Sequence, residues 1–120
     1  MSLPAAVSNL SAFVGQNVPI NDTIYQANGS SPQNITGWSL KFTVYVYQDP
    51  GTVFFSLNTG AGNGLTITDG LNGVVQVSGA AFAGNTAAMK TDCYGFSFER
   101  TDAYAVPTIG LLTLLAAPNP

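Results

Sequence analysis

With no histidine in this 120-residue chain, the side chains first considered for acid–base or metal chemistry are its six acidic residues and one cysteine. Without histidine neither a Ser-His-Asp nor a Cys-His arrangement can form, and the commonest zinc ligand and neutral-pH base are missing. Asp22, Asp49, Asp69, Asp92, Glu99 and Asp102 have the chemistry for a general acid and base pair, or for calcium ligation. They are spread through predicted turns, however, where Asp caps local backbone amides, and none follows the twelve-residue calcium-loop spacing. Cys93 has no second cysteine to pair with and no basic neighbour in sequence to activate it, so it reads as a small buried apolar group. The run Gly60-Ala61-Gly62-Asn63-Gly64 suggests a phosphate loop but lacks the following Lys and helix, leaving a hairpin tip. Asn9-Leu10-Ser11, Asn21-Asp22-Thr23, Asn28-Gly29-Ser30 and Asn34-Ile35-Thr36 match the glycosylation tripeptide, a pattern frequent by chance in a chain rich in Asn, Ser and Thr. The reading is therefore of a protein that is not an enzyme and takes no cofactor or metal.

The balance of charges narrows the partners. Six acidic against three basic residues give a net charge of -3, which offers no electrostatic footprint for nucleic acid. With 46% apolar and 8% charged residues the chain should fold as one domain over residues 1–120, its ordered core about 13–115. Met1 to Gln16 has no Lys or Arg and no long apolar stretch, so no secretory signal is expected. The longest apolar run, Ile109 to Ala117, is too short to span a bilayer, so no membrane partner is expected either.

Alternation of apolar and polar residues, with turn residues between the runs, supplies the elements. Trp38 to Tyr47 puts Trp38, Leu40, Phe42, Val44 and Val46 on one face, and Asp49-Pro50-Gly51 follows as a type II turn into a strand from Thr52 to Thr59. In that second strand Val53, Phe55 and Leu57 share a side. Leu65 to Asp69 and Gly73 to Ser78 form a second hairpin, burying Leu65, Ile67, Val75 and Val77. Ala80 to Thr91 reads as a loop with room for one helical turn. Cys93 to Arg100 places Tyr94, Phe96 and Phe98 inward, Asp102 to Ala105 turns the chain, and Val106 to Leu115 is the last strand. Near the N-terminus Val18, Ile20 and Ile24 suggest a strand kinked around Asn21-Asp22, and Pro19 keeps it at a sheet edge. About seven strands of this kind make an all-β antiparallel two-sheet sandwich, with a small closed barrel as the alternative.

Two apolar features are left over once the core is assigned. Tyr45 and Tyr47 point away from the inward face of their strand and would form an exposed platform for a protein or a sugar. Ile109, Leu111 and Leu115 have one parity and Leu112 and Leu114 the other, so both faces of the last strand are apolar and it is either covered on both sides or carries a subunit contact. So few charges also protect poorly against association, which favours a homo-oligomer.

Several blocks together resemble a known family. They are Val18-Pro19-Ile20, Ile35-Thr36-Gly37-Trp38-Ser39-Leu40-Lys41-Phe42-Thr43-Val44, Leu65-Thr66-Ile67-Thr68-Asp69 with Gly73-Val74-Val75-Gln76-Val77, and Tyr94-Gly95-Phe96-Ser97-Phe98-Glu99-Arg100-Thr101 with Gly110-Leu111-Leu112-Thr113-Leu114. The chain resembles the immunoglobulin-like domain at the N-terminus of phage baseplate upper proteins, also found in small tailed-phage or prophage structural proteins. The resemblance implies an immunoglobulin-like sandwich and a non-catalytic virion structural role in the tail or baseplate. It also implies other virion structural proteins as partners, and a location in the virion or in the bacterial cytoplasm before assembly. It carries over no catalytic residues. The function expected from the residues alone is protein–protein contact, with a carbohydrate-binding module using the exposed tyrosines as the alternative.

Overall fold

The computed structural model describes residues 6–26, 31–60, 62–103 and 105–116; the tripeptide at Asn28 and Tyr104 of the expected 102–105 turn lie outside them. The chain is all-β, with one short helix. Its elements are β1 (Ala6–Phe13), β2 (Ile20–Thr23), β3 (Leu40–Val46), β4 (Asp49–Thr59), β5 (Gly64–Asp69), β6 (Val74–Val77), α1 (Gly79–Thr86), β7 (Asp92–Arg100) and β8 (Ala105–Leu115). No helix among the described residues is long and apolar enough to cross a membrane.

The strands were expected in two antiparallel sheets. They are hydrogen-bonded as one curled, mixed sheet in the order β1-β8-β7-β3-β4-β5-β6-β2. Two junctions are parallel: β1 runs alongside β8 from Ala6↔Thr108 to Phe13↔Leu115, and β4 meets β5 at Asn58↔Gly64 and Thr59↔Leu65 only. That short seam divides the sheet into a five-stranded part and a three-stranded part, whose apolar faces share one core. β1 and β2 are the terminal strands and do not pair with each other, so the barrel stays open. β2 lies at an edge, as Pro19 requires.

Period-two alternation accounts for the centre of the sheet. Leu40, Phe42 and Val44 of β3, Phe96 and Phe98 of β7, and Leu112 and Leu114 of β8 are all buried, and Phe42 sits 5.0 Å from Phe98 and 5.8 Å from Phe96, centroid to centroid. Leu65, Val75 and Val77 close the core from the β5–β6 side. The turn between those two strands is a single 3-10 turn, Gly70–Asn72, ended by Gly73 at φ 73°. Only glycine serves there, because the left-handed backbone penalises a Cβ and one would sit 2.7 Å from the Gln33 carbonyl oxygen.

Four local expectations are corrected. β1 begins at Ala6, ahead of residue 13; its inward residues Leu10 and Ala12 are separated by small polar ones, so its pattern is weak until β8 pairs with it. The first hairpin turns at Tyr47-Gln48, with Gln48 at φ 69°, and β4 already runs from Asp49 through Pro50 and Gly51. The reason is a pair of register shifts: Phe55 faces Val44, Val53 faces Tyr45, and Asp49 faces Val46. The first of these makes a bulge at Phe54, which carries Val53 to the outer face with Tyr45 while Phe55 and Leu57 stay buried. Finally, the stretch read as a loop contains α1. Ser78 caps it by accepting from the Ala81 N–H at 3.4 Å, and fully buried Phe82 meets Phe55 edge-on at 6.4 Å.

Candidate functional site

The outer face of the five-stranded part gathers most of the contact residues singled out in the sequence. The register sets out its rows. Gly95 of β7 lies between Leu111 of β8 and Tyr45 of β3, and Val53 of β4 is next to Tyr45. In the adjacent row Ser97 lies between Ile109 and Thr43. Because Gly95 has no side chain, the Tyr45 ring lies against it, and a Cβ there would collide with the ring. The Tyr45 hydroxyl donates to the Phe96 carbonyl at 3.4 Å. Burial, and then the nearby negative charge of Glu99, push the Tyr45 hydroxyl above the usual tyrosine range.

This face is apolar at its centre and charged at one end. Tyr45, Val53 and Ile109 line a shallow groove of about 290 Å³ with Lys41, Thr43, Ser97 and Glu99. Val53 is 51% exposed, Ile109 40% and Leu115 44%, while Leu111 is half-buried. Phe13 of β1, opposite Leu115 in register and 38% exposed, extends the apolar surface and was not anticipated from sequence. Lys41 and Glu99 stand opposite each other across the β3–β7 pair.

Tyr47 is not part of this platform. It follows the end of β3, in the turn, and lines a separate cleft of about 690 Å³ with Phe54, Met89, Lys90, Asp92 and Tyr94. The expected Tyr45–Tyr47 surface is therefore split between two places, because the turn breaks the strand's alternation after Val46. The same bulge brings Phe54 edge-on to Tyr94, 5.0 Å between centroids at 87°. Tyr94 itself is 6% exposed and donates its hydroxyl to the Lys90 carbonyl at 2.7 Å. Burial and then the negative charge of Asp92 push its hydroxyl above the usual tyrosine range, partly offset by that backbone bond.

The acids do not converge. Each of the six accepts a bond from a group within three residues: Asp22 from the Thr23 amide, Asp49 from Thr52, Asp69 from Asn72, Asp92 from the Cys93 amide, Glu99 from Ser97 and Asp102 from Arg100. Among the described residues no three His, Cys, Asp or Glu side chains gather around a common point. Asp102 is held below the usual carboxylate range by its bond to the Arg100 guanidinium, which also lies 3.9 Å from the Trp38 ring centroid. The glycine-rich loop borders a hollow that also touches Ser78, Ala80 and Ala81 at the start of α1, yet no charged residue among the described ones lines it. A phosphate there would meet no cationic partner among the described residues. Cys93 is half-buried on the outer face, with the Thr113 hydroxyl 4.0 Å from its sulfur. No known protein family matches the chain, and a search of curated proteins finds no match.

Proposed function

We propose that this chain is a non-catalytic structural domain of a tailed-phage or prophage virion, in the tail or baseplate, that works by protein–protein contact. The observation that carries the contact role is the outer face, where Tyr45, Val53, Ile109, Leu111, Leu115 and Phe13 lie side by side on rigid strands instead of in a core. Aromatic and aliphatic groups held on a sheet lose little conformational freedom on docking, and the Lys41–Glu99 end supplies polar register.

Strand order supports the immunoglobulin-like, two-layer reading. In such sandwiches one layer contains a B-E-D order and the other G-F-C-C′. Here β2-β6-β5 and β8-β7-β3-β4 follow those orders, with only the two-residue β4–β5 seam between the layers. The Tyr94 hydroxyl bond back to the Lys90 carbonyl, near the start of β7, is of the tyrosine-corner kind known from that fold.

Incorporation into particles tests the proposal. Tagged protein is expected in purified virions, and an Ile109→Glu/Leu111→Glu variant that keeps its melting temperature is expected to be absent from them. Wild-type chain missing from purified particles would remove the virion role. A second reading, sugar binding, is favoured by the Tyr47–Phe54–Tyr94 cleft with Lys90 and Asp92 at its wall. A glycan array with Tyr47→Ala as control decides it: signal lost in the variant supports a sugar site, and no signal from the wild type removes it.

A further inference from the structure

β1 ends the sheet with its outer edge unpaired among the described residues, and the hydrogen bonds around it show which groups that edge presents. The Val14 N–H donates to the Leu115 carbonyl at 3.0 Å, continuing the β1–β8 ladder. In a parallel pair alternate residues turn their N–H and C=O to the neighbour, so even-numbered residues of β1 face β8 and odd-numbered ones face outward. Phe13 fits this: its outward N–H is taken by the Gln16 side-chain oxygen at 3.1 Å, which closes that end of the edge. The backbone groups of Val7, Asn9 and Ser11 remain.

Sheet edges are usually defended by charge, proline or shortness. The other terminal strand, β2, has four residues, a preceding Pro19 and Asp22 within it. β1 has eight residues and neither a charge nor a proline. We propose that β1 pairs antiparallel with β1 of a second copy about a two-fold axis centred on Asn9. In that register Asn9 faces its own counterpart and Val7 faces Ser11, so every outward N–H meets a carbonyl, and the Gln16 cap need not open. An edge is self-complementary only about such an axis, which is why the second copy is the occupant argued for. The apolar residues Phe13 and Leu115 then lie beside the new junction on a continuous outer surface. A single strand-to-strand contact is smaller than the roughly 1,200 Å² of a standard stable interface, so the pair is weak and concentration-dependent.

This inference deepens the contact role proposed above, and its test separates the two. Sedimentation equilibrium over a concentration series is expected to show a monomer–dimer equilibrium, with the Asn9 and Ser11 amides becoming protected from hydrogen exchange as dimer forms. Leu10 and Ala12 are protected by β8 at every concentration. Ser11→Pro removes one outward donor in each copy without touching the β8-facing bonds, and is expected to weaken the dimer about tenfold or more. Asn9→Asp keeps the acceptor that the Leu111 N–H uses at 3.3 Å, so the β1–β8 pair survives, but it sets two carboxylates opposite each other. Its dimer is expected to weaken and to recover in high salt, with an unchanged melting temperature at dilutions where both proteins are monomeric. A wild type that stays monomeric up to millimolar concentration overturns the proposal. So does a dimer that both variants leave intact and Ile109→Glu abolishes, a result that would keep the contact role and move it to the outer face.

Discussion

Replacing Gly95 by Ala tests how the outer face is built. The strand backbone at Gly95 is not left-handed, so alanine meets no torsional penalty there. The penalty is steric: the added Cβ would collide with Cε2 of Tyr45 and lie 2.8 Å from both Cδ2 and Cζ, where carbon atoms prefer about 3.5–4.0 Å. The ring must lift by more than about 1 Å, giving up its contact with the strand and its hydroxyl bond to the Phe96 carbonyl. Overpacking of this kind costs about 1–3 kcal/mol, and the loss of a glycine from the unfolded chain returns about 0.4–1 kcal/mol. With Tyr45→Ala already in place the obstacle is gone, and Gly95→Ala is expected to be neutral or stabilising by about 0.4–1 kcal/mol. Urea denaturation of the four proteins in the cycle should therefore give a Tyr45–Gly95 coupling of about 1–3 kcal/mol. A coupling below about 0.5 kcal/mol, the scatter of independent sites, would refute the claim that the missing side chain at Gly95 seats the ring.

Other substitutions probe the frame behind that face. Phe82→Ala removes the side chain through which α1 enters the core and should cost about 3–5 kcal/mol by chemical denaturation; a cost near that of an exposed site would mean that α1 is not a structural plug. Tyr94→Phe deletes the hydroxyl bond to Lys90 and should lower stability by about 0.5–1.5 kcal/mol, with an unchanged denaturant slope. Tyr45 and Tyr94 both have their pKa raised in the fold, so the stability they contribute is complete below the ordinary tyrosine value of about 10 and is lost as pH rises through their folded values. An absorbance titration should show a late component that each Tyr→Phe change reduces, and coincidence of every tyrosine with the free amino acid would contradict the burial argument.

What the sequence made legible was whatever depends on a strand's own alternation. β3, β5, β6 and β7 follow strict period-two patterns, and the inward residues expected of them, from Leu40 to Phe98, are largely those buried. The features that were missed depend on partners far away in sequence. β1 has only Leu10 and Ala12 to mark its inner face and becomes a strand because β8 pairs with it. α1 lacks charged first and last turns and is fixed by Phe82 reaching the core. The bulge at Phe54 is invisible in periodicity, since one extra residue leaves each half of β4 alternating correctly while exchanging the faces of Val53 and Phe54. The turn after Val46 was equally hidden, and it is what takes Tyr47 away from the surface that Tyr45 shares with Ile109, Leu111 and Leu115. The sign of a side chain's face survives only as far as the register does.

The parallel β1–β8 pair also sets how the domain bears load. Tension between Ala6 and Leu115 pulls the two strands along their length in opposite senses, so the register from Ala6↔Thr108 to Phe13↔Leu115 is sheared as a unit and its bonds must fail together. A link of that geometry resists stretching far better than a hairpin peeled open from one end. Pulling with handles at those two residues should give one tall rupture peak, whereas gradual low-force yielding would contradict the pairing.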